Sequence, residues 1–264
     1  MEREYKLLEY KQWLETCNQD DPCIIDQILP EDAGDYILVS GKTGIGKSIL
    51  VLHLAFCLAT GQSFFGFDTQ HVKVGYAAME GGRDNIRQRF EKIAPQYPET
   101  DELLFNLLPP MDLPRHFDKF CQLFEGCKVV ILDNLRQVTC GKYLDMNYAA
   151  GWLKEYQRFL IQIGAVGVIT HHIKKPNEAS LIEPGDVYNL KGATEYVDAS
   201  TTVLLMERTR QKSKGGFQPV DRNAVTLHFA KQRIATRELE PIELYRNYGA
   251  CSFDMVGKLE LVTQ

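Results

Sequence analysis

Nine consecutive residues, Gly41-Lys42-Thr43-Gly44-Ile45-Gly46-Lys47-Ser48-Ile49, carry the most legible chemistry in this chain. Glycines at three of the first six positions let the backbone take conformations closed to other residues, so that its N–H groups can cradle phosphate oxygens. Lys47 stands where an ammonium reaches the β- and γ-phosphates, and Ser48 offers a hydroxyl to Mg²⁺ at a helix start. That pattern specifies a nucleoside triphosphate, ATP or a close analogue. The competing reading is a glycine-rich turn that merely precedes a helix.

Two carboxylates are placed to complete such a site. Asp133 closes the apolar run VVILDN, and an acid at the carboxyl end of a buried strand sits at the mouth of the sheet, where it can serve the metal. A turn-capping Asp is the alternative. Glu80 closes VKVGYAAME just before Gly81 and Gly82, in position to orient and deprotonate an attacking water. An acid favoured by a helix N-terminus would look the same. Further along, His171 and His172 end another apolar run, and Lys231 and Arg233 alternate in AKQR so that both point one way along a strand. A hydrogen-bonded structural histidine pair and an exposed basic strand edge are the plainer accounts of these.

The elements that would position these residues follow from hydrophobic pattern. YILVS (36–40) reads as a strand, the glycine turn follows, and SILVLHLAFCLAT (48–60) reads as a helix. The alternation continues with a strand at 72–80, a helix from Asp84 to Ile93, a strand at 103–108 and a short helix at 115–125. A strand at 128–134, a helix at 147–163 with Trp152, Tyr156, Phe159 and Ile163 on one face, and a strand at 165–170 complete it. Strands that are apolar throughout imply a parallel sheet covered on both faces, a doubly wound α/β fold. From about residue 201 the runs TTVLLMER, AVTLHFAKQR, PIELYRN and KLELV follow without helices, which predicts antiparallel additions at the C-terminal end. Residues 5–16 have the pattern of an amphipathic helix, and 173–192 form an over-long connection of the kind that carries function.

Composition narrows the class. At 264 residues with 44% hydrophobic and 25% charged content, the chain suits one large soluble domain. No apolar run is long enough to span a bilayer and the N-terminus is charged, so a cytoplasmic protein with no membrane partner is expected. Seven scattered cysteines without a CxxC pair suggest neither a zinc site nor a disulfide framework. A net charge of −5 gives no global signal of nucleic-acid binding.

The order of phosphate loop, acid after the second strand, Asp133, then ITHHIKK resembles the RecA-like ATPases, and within them is most similar to the RepA-type hexameric plasmid replication helicases. LATGQSFFGF together with VKVGYAAMEGGRDNIRQRF, and a His-His strand end in place of Gln, carry that finer likeness over roughly residues 25 to 250. The resemblance implies an N-terminal arm or helix at 1–24 and a RecA-like ATPase domain at 25–264, using ATP and Mg²⁺. It implies His171 as γ-phosphate sensor, with His172 the second choice, and Arg233 as a finger acting in trans beside Lys231. It also implies a homo-oligomer, as a hexamer, on single-stranded DNA, touched by the loops after Asp133 (136–147) and after His171. A motor in replication or recombination is the function that follows. The other function left open is an ATP-dependent assembly or regulatory switch on a protein partner, which the acidic charge and the cancelling charges of 173–192 favour. A small-molecule kinase is disfavoured, since no arginine-rich lid is visible.

Overall fold

Where the apolar side chains can hide dictates the architecture. The computed structural model describes residues 9–12, 22–172, 185–186, 194–213 and 216–258. A short pair, β1 (Cys23–Ile25) and β2 (Leu29–Pro30), precedes a nine-stranded sheet. Its parallel part comprises β3 (Tyr36–Gly41), β4 (Val74–Ala78), β5 (Leu103–Leu107), β6 (Val129–Asp133), β7 (Val166–His172) and β8 (Thr202–Arg208). The antiparallel part comprises β11 (Ala224–Gln232), β12 (Ile242–Asn247) and β13 (Ser252–Lys258). The order across the sheet is β13-β12-β11-β8-β3-β7-β6-β4-β5.

Both faces are covered, so successive strand residues enter different cores. Ile37, Val39, Ile131 and Val168 join the cluster beneath α1 (Lys47–Thr60) and α2 (Arg83–Ile93). Tyr36, Leu38, Leu132 and Ile169 join the opposite cluster, beneath α3 (Phe117–Leu123), α4 (Leu135–Val138), α5 (Met146–Ile163) and α6 (Glu195–Ala199). This two-sided burial is why the strands carry no polar alternation. α5 begins at Asp145, whose side chain accepts from Asn147 N and Tyr148 N, and stops at Gly164 with φ +70°.

The expected elements from 36 to 170 are all present, with ends shifted by a few residues at most. One expectation near the C-terminus changes. The run TTVLLMER is β8, which pairs parallel with β3, so the antiparallel additions begin at β11 and not at residue 201. The last described strand covers 252–258, and KLELV beyond Lys258 lies outside the described residues. A hairpin of β9 (Arg210–Ser213) and β10 (Gly216–Pro219) separates β8 from β11. Of the expected helix at 5–16, residues 10–12 are helical and most of the rest lies outside the described residues, as does 173–192 apart from 185–186. No disulfide joins the described cysteines, and no helix among the described residues is long and apolar enough to cross a membrane.

Close helix-to-sheet packing at β7 depends on Gly167. A Cβ there would collide with the Tyr156 hydroxyl and lie 3.0 Å from Leu160 Cδ1. That hydroxyl is itself buried without a hydrogen-bond partner. Gly167→Ala is expected to lower stability by about 2–3 kcal/mol through overpacking. Tyr156→Phe, which removes an unsatisfied polar atom, is expected to leave stability unchanged or raise it by up to about 1 kcal/mol. Denaturant midpoints for the two variants check both signs.

Candidate functional site

The carboxyl ends of β3, β4, β6 and β7 meet at one edge of the sheet, and a cleft of about 160 Å³ opens there. Thr43, Gly44, Gly46, Lys47, Ser48 and Ile49 line it from the glycine loop, opposite Glu80, Asp133 and His172. The loop needs its glycines: Gly44 has φ +79° and Gly46 φ +114°. At Gly46 there is no room for a side chain either, since a Cβ would sit 2.6 Å from Phe253 Cζ of β13.

Lys47 is buried, at 7% exposure, and its ammonium donates to the carbonyls of Gly41 (2.9 Å) and Lys42 (3.1 Å) while lying 3.2 Å from His172 Nδ1. Burial pushes its pKa down to about 8, and the charges of Asp133 and Glu80 offset only part of that. Thr43 Oγ1 is 3.4 Å from the same His172 nitrogen, so the end of β7 and the loop already touch.

Asp133 is equally buried, and both its oxygens are held. Tyr76 in β4 donates to Oδ2 at 3.0 Å and Thr170 in β7 donates to Oδ1 at 2.5 Å. The carboxylate is thereby aimed from the strands on either side of β6. Ser48 lines the same cleft, so a hydroxyl and a carboxylate, both hard oxygen donors suited to Mg²⁺, face one space. Glu80 stands at the exposed rim, where Gln137 Nε2 donates to its Oε1 at 2.9 Å. Partial burial raises its pKa, but hydrogen bonds from Asn134 and Gln137 and the charges of His172 and Arg136 prevail and leave it below the usual glutamate value.

The two histidines separate by strand parity. His172 shares a face with Thr170, on the side of α1, and lines the cleft. His171 is buried on the α5 side, edge-on to Tyr143 and 6.3 Å from the Tyr196 ring centroid. The structure thus places the second choice of the pair, not the first, beside the phosphate loop.

Lys231 and Arg233 lie at the other end of the sheet. Gln232 pairs with Thr202, itself level with Ile37, whereas the cleft begins at Gly41 four residues on, roughly 13 Å away. A bulge interrupts the register between Phe229 and Lys231, and Arg233 falls just past the end of β11. Both still converge on the carboxyl end of α6. Lys231 Nζ donates to the carbonyls of Val197 (2.5 Å), Asp198 (2.8 Å) and Ser200 (2.8 Å), and Arg233 Nη2 donates to the Asp198 carbonyl. Burial and the neighbouring Arg233 bring Lys231 down to about 8.

Several residues at the cleft escape sequence reasoning. Arg246 of β12 donates from Nη1 to the Gly44 carbonyl at 2.9 Å and lies 4.3 Å over the Tyr248 ring. Arg89 of α2 and Asn134 also line the cleft, and Tyr76 and Thr170 hold Asp133. Arg89 falls in the helix just after Glu80, a position the sequence could have flagged. Arg246 is 202 residues from Gly44, and no local pattern announces it.

The AAA domain family profile matches residues 18–178. No curated protein sequence matches the chain. Among solved structures, a KaiC-like protein from Pyrococcus horikoshii OT3 is similar with TM-score 0.57 and 11% identity, over 91% of this chain and 95% of that one. A structure described as an ATPase domain is similar with TM-score 0.63 and 11% identity, over 92% and 95% of the two chains. A DnaB-like replicative helicase, solved for its interactions with primase, is similar with TM-score 0.65 and 12% identity, over 92% of this chain and 66% of that one. These likenesses show a RecA-like fold.

The depressed pKa of Lys47 has a measurable sign. Below pH 8 the side chain is charged and can meet phosphate; above it the nucleotide-free protein loses that charge. Triphosphate affinity is therefore expected to fall as pH rises through about 8, tenfold or so by about pH 9. Stability of the nucleotide-free protein should rise over about pH 8 to 10.4, because the unfolded chain then binds the extra proton. Lys47→Met is expected to flatten both profiles, measured by calorimetric titration of a triphosphate and by thermal melts.

Proposed function

We propose that this chain, which belongs to the AAA domain family and has a RecA-like ATPase fold, is an ATP-hydrolysing, ring-forming motor on single-stranded DNA. The observation that carries the reading is the division of the candidate residues. Lys47, Ser48, Glu80, Asp133 and His172 gather at one cleft, while Lys231 and Arg233 stand together at the far end of the same sheet. Within one copy the two groups cannot serve one phosphate. A head-to-tail assembly, hexameric in this reading, would bring Arg233 of one copy to the cleft of the next.

In that arrangement the glycine loop and Lys47 bind the β- and γ-phosphates. Ser48 and Asp133 would hold Mg²⁺, which when bound neutralises phosphate charge. Glu80, ionised at neutral pH, orients the attacking water and takes up its proton as the bond to phosphorus forms. His172, rather than His171, touches both Lys47 and Thr43 and is the residue we assign to sensing the γ-phosphate. Arg233 supplies charge in trans as the transition state develops. The likeness to a DnaB-like replicative helicase supports DNA as the load. A second reading, a nucleotide switch whose partner is another protein, is favoured by the net charge of −5.

Glu80→Gln is expected to keep ATP binding and lose turnover by about a hundredfold or more. Unchanged turnover would remove Glu80 from the assignment. Lys47→Ala and Arg233→Ala should each be inactive alone, yet mixing them should restore roughly a quarter of wild-type activity, because one interface in four is then intact on both sides. No recovery on mixing argues against a shared site. ATPase rates with and without single-stranded DNA at two salt concentrations, with particle size measured alongside, separate the readings. Salt-sensitive stimulation supports the motor, and nucleotide-dependent assembly indifferent to DNA supports the switch.

A further inference from the structure

Asn134 follows Asp133 directly and opens α4, in the position where an asparagine ordinarily caps a helix by accepting from its first backbone N–H groups. Here the cap is not made, and no α4 backbone N–H reaches the Asn134 side chain. That side chain is fixed all the same. It is 3% exposed and lines the phosphate cleft together with Glu80 and Asp133.

An amide has two polar ends, and the protein engages only one of them. Asn134 donates a hydrogen bond to Glu80, as Gln137 does from the exposed rim. A carboxylate only accepts, so the Asn134 nitrogen is the atom that faces Glu80, and the Oδ1 oxygen is left over. That oxygen is buried and meets no donor among the described residues. Buried polar atoms are satisfied as a rule, so a buried acceptor in a cleft calls for a donor that the ligand side supplies.

The chemistry of the cleft narrows what that donor is. An ionised triphosphate chain offers acceptors only, and the Lys47 ammonium is already given to the Gly41 and Lys42 carbonyls. Mg²⁺ is served by Asp133 and Ser48 in the reading above. A water molecule has two hydrogens, one for Glu80 and one for Asn134 Oδ1. Because Asn134 is bonded to Glu80, the two acceptors are held next to each other, and a water meeting both has its lone pair fixed in direction. The neutral amide accepts without competing for the proton, which leaves the carboxylate as the base.

We propose that Asn134 holds the attacking water together with Glu80, its Oδ1 accepting the hydrogen that Glu80 does not take. The proposal rests on the hydrolytic reading of the cleft and adds the second residue that meets the nucleophile. As the water oxygen bonds to the γ-phosphorus, the bond from phosphorus to the β–γ bridging oxygen breaks and ADP leaves with that electron pair. One water proton passes to Glu80. The other stays on the new phosphate oxygen, hydrogen-bonded to Oδ1.

The test is single-turnover ATP hydrolysis, with affinity for a non-hydrolysable triphosphate, Mg²⁺ dependence and thermal melts measured alongside. Asn134→Ala is expected to slow hydrolysis by about a hundredfold, with triphosphate affinity, half-saturating Mg²⁺ and melting temperature close to wild type. Asn134→Leu, which keeps the branched shape and neither polar atom, should lose the rate equally. Gln137→Ala removes only the outer hydrogen bond to Glu80 and should cost less than about fivefold. In a Glu80→Gln background, Asn134→Ala should cost no more than about threefold further, since both residues act on one water. A loss in Gln137→Ala as large as in Asn134→Ala would reduce Asn134 to a support for Glu80, and a shifted Mg²⁺ dependence would make it a metal ligand; either overturns the proposal. Unfolding of both Asn134 variants would show a structural role and overturn it as well. If Glu80→Gln loses turnover while Asn134→Ala keeps it, the Asn134 assignment falls and the hydrolytic reading stands. If wild type hydrolyses no ATP, or Glu80→Gln turns over unchanged, both fall.

Discussion

Burying the Asp133 carboxylate is the constraint on which the site depends. At 7% exposure it cannot rely on water, so each oxygen must be met by a protein donor. Tyr76 and Thr170 do this from β4 and β7, the two strands that flank β6. The donors reach only if both neighbours are in register with β6, as they are through Ala78 opposite Asp133 and Ile169 opposite Leu132. Deleting either hydroxyl would cost about 1–3 kcal/mol and leave a charged oxygen unpaired. The same two bonds fix the carboxylate toward Ser48 and Lys47, so the condition that makes the charge tolerable also aims it.

A second set of contacts fixes the phosphate loop from the far side of the sequence. Gly46 is backed by the Phe253 ring and Gly44 is held through its carbonyl by Arg246. Both come from the antiparallel strands β12 and β13, beyond the parallel core. A glycine-rich loop is entropically costly to order, and a ring and a guanidinium from well-paired strands restrict it before any nucleotide arrives. The C-terminal strands are thus part of the binding site, although they contribute none of the residues that the motif itself contains.

What the sequence made legible follows from the length scale of each signal. The strands and helices from 36 to 170 could be read because two-sided burial writes itself into consecutive residues, and the glycine loop because its chemistry is local. Glu80 and Asp133 were readable as acids ending apolar runs. The choice between His171 and His172 was not, since parity along β7 gains meaning only once the face toward α1 is known. The parallel pairing of β8 was hidden because the short α6 that precedes it, at residues 195–199, leaves little periodic trace. Arg246 and Phe253 act across some two hundred residues, and a contact of that span leaves no imprint on local pattern.

The two halves of the candidate site are joined within each copy by one stretch of chain. β7 ends at His172, which touches Lys47 and Thr43, and the next described helix in the chain is α6, whose final carbonyls seat Lys231 and Arg233. α6 is itself pinned to the sheet, since Tyr36 donates to the Tyr196 carbonyl at 2.6 Å and Tyr196 is buried. The carboxyl end of a helix is its negative pole, so two cations gathered there are held by backbone carbonyls rather than by an acidic side chain. Backbone carbonyls carry partial charge only, so a phosphate with full charges can compete for the guanidinium, and in the ring we propose that competition would free Arg233 for the neighbouring copy's cleft.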